Sequence, residues 1–203
     1  MLRQALLFGF INWLPAGVLF CFFVAAGIVY YRAPFAGRRK ALFLRMAIAI
    51  GVLRLLFAGI KTAAQYVIWK QDPIAQFLLP PHTRIGVLLH YVWTHYWLNA
   101  FISIGAALLL FGVFRLLASH NERFFNEGEF ELGFLMALIV GWPQFVIFVP
   151  AVFCLVVLMS VVRGLWFNEP YTTLGIPLFL AAIVAVIAYP YVVHLKNFYT
   201  LVI

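Results

Sequence analysis

Charge is what this sequence has least of. Six acidic residues, with Asp72 the lone aspartate, stand against fourteen lysines and arginines. Charged residues make up 10% of the 203, where soluble domains carry about a quarter. That deficit excludes an ordinary water-solvated domain. Cysteine is nearly missing as well: Cys21 and Cys154 sit singly inside apolar runs, which excludes paired-cysteine zinc or redox motifs and reads both as buried small hydrophobes. His82, His90 and His95 lack the spacing of metal ligands, so neither a metal nor a cofactor is expected. No repeat with a period of roughly 20 to 50 residues and no low-complexity tract is visible. The excess of base, +8 in net charge, is scattered at helix ends rather than gathered on one face. It reads as membrane topology, and no nucleic-acid partner is expected.

What the chain has is hydrocarbon, at 66% of its residues. A bilayer core of about 30 Å takes roughly 20 apolar residues at about 1.5 Å each, and several runs are that long. The fold class is therefore all-α: a polytopic transmembrane bundle of about five or six helices. It forms a single integral membrane domain over residues 1–203, multi-pass in the cytoplasmic membrane of the cell, with membrane lipid as its first partner. The first run, from about Ala5 to Tyr31, exceeds the roughly 7 to 15 residues of a secretory h-region and lacks a small-residue cleavage site. It is expected to stay as an uncleaved anchor. Arg32, Arg38, Arg39 and Lys40 form the densest basic cluster, which the positive-inside rule places in the cytoplasm, leaving the N-terminus outside.

The next helix, from about Ala41 to Trp69, carries Arg45, Arg54 and Lys61, each costing roughly 2.5 to 3.5 kcal/mol near a helix centre. At about 100° per residue Arg54 and Lys61 share a face while Arg45 lies opposite, so one polar stripe is expected to look into the bundle. From Lys70 to His95 the pattern breaks at Asp72-Pro73, Pro80-Pro81 and Arg84, while Tyr91, Trp93, Tyr96 and Trp97 resemble an interfacial aromatic belt. An external loop with an interfacial helix is expected there. A span from about Leu98 to Leu117 then returns to the cytoplasm at Arg115 and Arg123. The following loop, Ser119 to Glu131, holds four of the six acidic residues, and residues 118–130 are expected to be cytoplasmic. Beyond it, the apolar stretch Leu132 to Val162 would extend about 46 Å as one helix, too far for an upright crossing. The preferred solution is a short helix entering from Glu129, a bend near Gly141 to Pro143, and a second helix back to Arg163. One long kinked helix is the alternative. A last span runs from about Leu174 to Leu195, with Pro177 near its start and Pro190 as a kink.

The stretch GEFELGFLMALIVGWP, Gly128 to Pro143, resembles the second catalytic motif of the type IV prepilin peptidase family. There a GxGD signature precedes a short Ala/Leu/Met-rich helix that ends in Leu-Gly-Trp. Leu174 to Leu180, LGIPLFL, is similar to the Phe-Gly-Pro-Phe-Leu opening of the family's last helix. The similarity covers about Trp97 to Ile187, so residues 1–95 read as N-terminal helices and external loop and 96–203 as the prepilin-peptidase-like region. The family consists of intramembrane aspartic endopeptidases that cut leaders from pilin-like precursors at the cytoplasmic face. The resemblance thus implies a pilin-like transmembrane peptide or a secretion component as partner. It sets Glu129 at the position of the second catalytic aspartate and Glu131 at that of a lysine. Asp72, followed by Pro80 at about the family's spacing, is the candidate by residue type for the first aspartate, although the topology puts it on the outer face. Glu127 and Glu131 are the alternative partners. The Cys-x-x-Cys pairs of methylating members are absent.

Three functions follow. One is an endopeptidase in which Glu129 activates water and a second carboxyl shares the proton, since such chemistry needs one ionised and one protonated acid. Another is a homologue without the dyad that binds or assembles. The third is a small transporter or channel subunit built on Arg54 and Lys61. Beside them stand the plain structural readings: Arg54 and Lys61 as packing polarity, and the glutamates as caps on helix ends.

Overall fold

The computed structural model describes residues 2–32, 36–120, 128–166 and 173–193, and they are helical almost throughout, with no strand among them. Helix α1 (Leu2–Arg32) is followed by α2 (Ala36–Gln71), a 3-10 turn at Ala75–Leu78, and α3 (Gly86–Val92), which runs through a π-helical turn (Trp93–Trp97) into α4 (Leu98–His120). Then come α5 (Glu129–Val140), α6 (Phe145–Trp166) and α7 (Gly175–Val193). Five helical stretches are long and apolar enough to cross a membrane: Trp13–Arg32, Gly37–Gln71, Gly86–Ser119, Phe145–Trp166 and Gly175–Val192. The protein is an all-α, multi-pass membrane bundle.

Helix α5 is the exception among these elements and the key to them. Its 12 residues rise only about 18 Å, too little to cross a bilayer. Apolar side chains surround it on every side, as in a helix with no solvent face, and all of its residues except Phe130 are buried. It packs against α2, α4 and α7. The core around it draws Phe43, Ala47 and Ile50 from α2, Ala107, Leu110 and Phe114 from α4, and Leu178 and Ala181 from α7.

After α5 the chain turns back. Gly175, the first residue of α7, donates its N–H to the Glu129 carboxylate, so the chain must come back to the level of Glu129. Had α5 and α6 formed one rod, Trp166 would lie about 56 Å from Glu129, while the link from Trp166 to Gly175 reaches about 32 Å at most. Helix α6 therefore returns toward the end from which α5 entered, and it packs along α7. The short helix, bend and second helix expected from length are what the chain forms.

Two expectations need correction. The helix expected at the interface exists as α3, but it is continuous with α4 rather than part of a loop. After Pro81 no proline interrupts the sequence until Pro143, so the irregular segment is confined to residues 72–85. Cys21 and Cys154 are exposed on the outer faces of α1 and α6, not buried. In lipid an apolar residue is as content outside as inside. A second, smaller cluster of Leu79, Leu88 and Val92, with Trp69, Tyr91, Tyr96 and Trp97 against it, ties the irregular segment and α3 to the end of α2.

Helices α4 and α5 are in close contact at Gly133, where an added Cβ would meet the Phe114 ring, itself buried in the core. Gly133→Leu is expected to lower stability by about 1 to 3 kcal/mol through overpacking, read as an earlier unfolding transition of the detergent-solubilised protein.

Candidate functional site

The two ends of α5 carry the polar chemistry of the bundle. At its N-terminus Gly128 has a φ of 92°, a left-handed conformation that favours glycine, and its Cα faces Arg39 and the backbone of Lys40. Glu129 and Glu131 follow in the first turn, 3% and 4% exposed. Negative side chains there complement the helix dipole. Glu129 Oε1 accepts the Gly175 N–H at 3.0 Å, satisfying one of the free donors in the first turn of α7. Glu131 Oε1 lies 3.7 Å from the Nζ of the largely exposed Lys40, and its Oε2 is buried with no hydrogen-bond partner among the described residues.

The glutamates do not form a pair. Two residues apart on a helix, they point about 200° from each other. Asp72 is farther still: it follows α2 at the end opposite Lys40, and 32 residues of rise put it about 48 Å away along that helix. Glu127 lies outside the described residues. The structure therefore brings Glu129 and Glu131 to one end of the bundle on opposite faces of α5, and leaves Asp72 at the other end. Asp72 instead caps a turn, its Oδ1 accepting the N–H groups of Ile74 at 2.8 Å and Ala75 at 2.9 Å. The Ala75 and Ile74 hydrogen bonds hold its carboxyl below the ordinary aspartate range, which suits a fixed carboxylate better than a proton carrier. Among the described residues no group of histidines, cysteines and acids could hold a metal.

At the C-terminus of α5 stands a feature that the sequence only half announces. The Arg54 guanidinium reaches from α2 and donates from Nε to the Leu138 carbonyl at 2.8 Å and from Nη2 to the Ile139 carbonyl at 3.3 Å. A third hydrogen bond runs from Nη1 to Ser103 Oγ at 3.4 Å. The same hydroxyl accepts the Trp142 N–H at 2.9 Å and donates to the Asn99 carbonyl at 2.8 Å. Gly141 closes the arrangement. Its φ is 66°, and a Cβ there would collide with Arg54 Nη2. The stripe expected from helical periodicity is real, with Arg54 and Lys61 turned into the bundle and Arg45 exposed. Ser103 and Gly141 were not foreseen as its partners. The available signal was a helix ending at Gly-Trp-Pro inside an apolar stretch, whose last carbonyls require donors from elsewhere.

Fold and site together define a multi-pass helical membrane protein built around a buried half-helix, acidic at its start and bound by arginine at its finish. Comparison with protein-family models, curated proteins and solved structures finds no match for the chain.

Arg54→Met strands the Leu138 and Ile139 carbonyls and is expected to destabilise the protein by about 2 to 4 kcal/mol, measured by denaturant unfolding in micelles. Arg54→Lys should recover only part of this, because the three donors of an ammonium radiate from one nitrogen and cannot reproduce the spread of three guanidinium nitrogens across these acceptors. Asp72 should titrate by NMR below an ordinary aspartate. Because its folded value is depressed, the turn gains from its charge above the unfolded value and loses that gain as pH falls through the folded one.

Proposed function

We propose that this chain is a prepilin-peptidase-like membrane protein that works by binding, holding a pilin-like transmembrane segment or a secretion component without cutting it. The likeness of Gly128–Pro143 and Leu174–Leu180 to that family supports the kinship. The observation that carries the rest is that the structure pairs Glu129 with neither of the other two described carboxyls, Asp72 and Glu131. The Glu129 carboxylate is engaged by the Gly175 N–H, and no other described carboxyl shares its site. Aspartic hydrolysis needs two acids close enough to share one proton. Neither Glu131, on the opposite face, nor Asp72, at the far end of α2, meets that need, so a hydrolytic mechanism would have to recruit a carboxyl outside the described residues, Glu127 among them. Transport is disfavoured by the use of Arg54 in holding α5. Arg38, Arg39 and Lys40 open α2 at the end where Glu129 lies, and the positive-inside rule assigns that end to the cytoplasm.

The test is reconstitution of the protein in liposomes with a prepilin-like substrate. Substrate is expected to co-purify with the wild type and to remain intact with both wild type and Glu129→Gln. Cleavage by the wild type that Glu129→Gln abolishes would overturn the proposal, as would failure of the substrate to associate.

A further inference from the structure

The other end of α5 opens onto a half-open cavity of about 300 Å³. Its polar lining comes from Arg54 and Lys61 of α2, His95 of the π-helical turn, Asn99 of α4, and Trp142 and Gln144 of the turn after α5. Among the described residues no aspartate or glutamate lines it. The cavity thus gathers two basic side chains with no described acid to balance them. The carbonyls at the end of α5 offset part of the Arg54 charge, since a helix C-terminus carries roughly half a negative charge. Lys61 has no such compensation. Among the described residues its ammonium makes no hydrogen bond or ion pair and sits over the Tyr96 ring at 5.9 Å, leaving its N–H donors open.

Position narrows the ligand. Lys61 lies 21 residues beyond Lys40 on one helix, a rise of about 31 Å, which equals one hydrocarbon core. With the basic cluster at one membrane boundary, Lys61 falls at the other, at headgroup depth. The aromatic rings gathered there agree, with Trp69 on Tyr91 at 5.2 Å and Trp97 on Phe101 at 6.1 Å, because tryptophan and tyrosine settle at that level. A volume near 300 Å³ is at the small end of ligand sites. It suits a headgroup whose acyl chains stay in lipid.

We propose that this cavity binds a phosphate-type oxyanion, carried by a phospholipid headgroup or free in solution. Lys61 supplies the point charge that phosphate sites commonly use, the unused N–H groups of Arg54 supply directed donors, and the described lining offers no acid to repel the ligand. The site is separate from Glu129, so failure of the binding function proposed above leaves it standing, and the reverse.

The experiment uses the full chain in a neutral detergent, with dioleoylphosphatidylglycerol, dioleoylglycerol and inorganic phosphate as probes, read by native mass spectrometry and by the shift in thermal unfolding. Phosphatidylglycerol or phosphate is expected to bind one to one, and dioleoylglycerol, which has the same tails without the phosphate, is not. Binding by the lipid alone assigns the headgroup, and binding by inorganic phosphate assigns a soluble anion. Lys61→Gln should weaken the affinity about tenfold or more, and Lys61→Arg should retain most of it. The proposal fails if neither phosphate probe binds, if dioleoylglycerol binds equally, or if Lys61→Gln leaves the affinity unchanged.

Discussion

A guanidinium resting on the last carbonyls of a helix that stops inside an apolar interior is the contact on which the rest of this architecture depends. A helix ending in water leaves its final carbonyls to the solvent, but one ending among hydrocarbon must find donors in the protein. Arg54 provides them to Leu138 and Ile139, and Ser103 takes up the Trp142 N–H in the next residues of the turn. Once these groups are satisfied, the chain can reverse at Gly141 without exposing backbone to lipid, and α6 can go back the way α5 came. The cost of placing an arginine among apolar side chains is offset by what it neutralises.

The opposite end obeys the same rule with the signs exchanged. Helices α5 and α7 begin side by side, so two positive dipole ends and their unpaired N–H groups meet at one level. The Glu129 carboxylate lies between them and accepts from Gly175. A buried acid at the start of α5 and a buried base at its finish thus match the field of that helix. This gives both residues a structural duty independent of any ligand, and it explains why a likeness to a catalytic motif need not carry catalysis with it.

Much of this could be read from the residues, and the limits fall where membrane physics predicts. Helix number and the break at Gly141–Pro143 follow from length against bilayer thickness, and the inward face of Arg54 and Lys61 follows from helical periodicity. What lay hidden was which apolar surface is interior. Helices α5 and α6 are both strongly apolar, yet α5 is enclosed while Val157, Leu158, Val161 and Leu165 of α6 are exposed, because lipid and protein core reward the same side chains. The same ambiguity misplaces Cys21 and Cys154. The contacts at the two ends of α5 were hidden for a different reason: Arg54 and Leu138 are 84 residues apart and Glu129 and Gly175 are 46 apart, and no local pattern records such pairings. Asp72, by contrast, sits before a proline in a turn, a place where aspartate routinely bonds its own backbone.

Helix α2 is 36 residues long, about 54 Å, so it outruns a hydrocarbon core of about 30 Å and carries its last turns beyond it. Those turns meet the cluster of Leu79, Leu88 and Val92, which gives the molecule a second apolar interior apart from the one around α5. The larger interior is tied together by packing on a buried half-helix whose ends are bonded to α2 and α7, whereas the smaller one rests on a few apolar contacts and ring stacking. One chain is thereby furnished with a small annex whose packing can be altered without touching the bonds that hold α5.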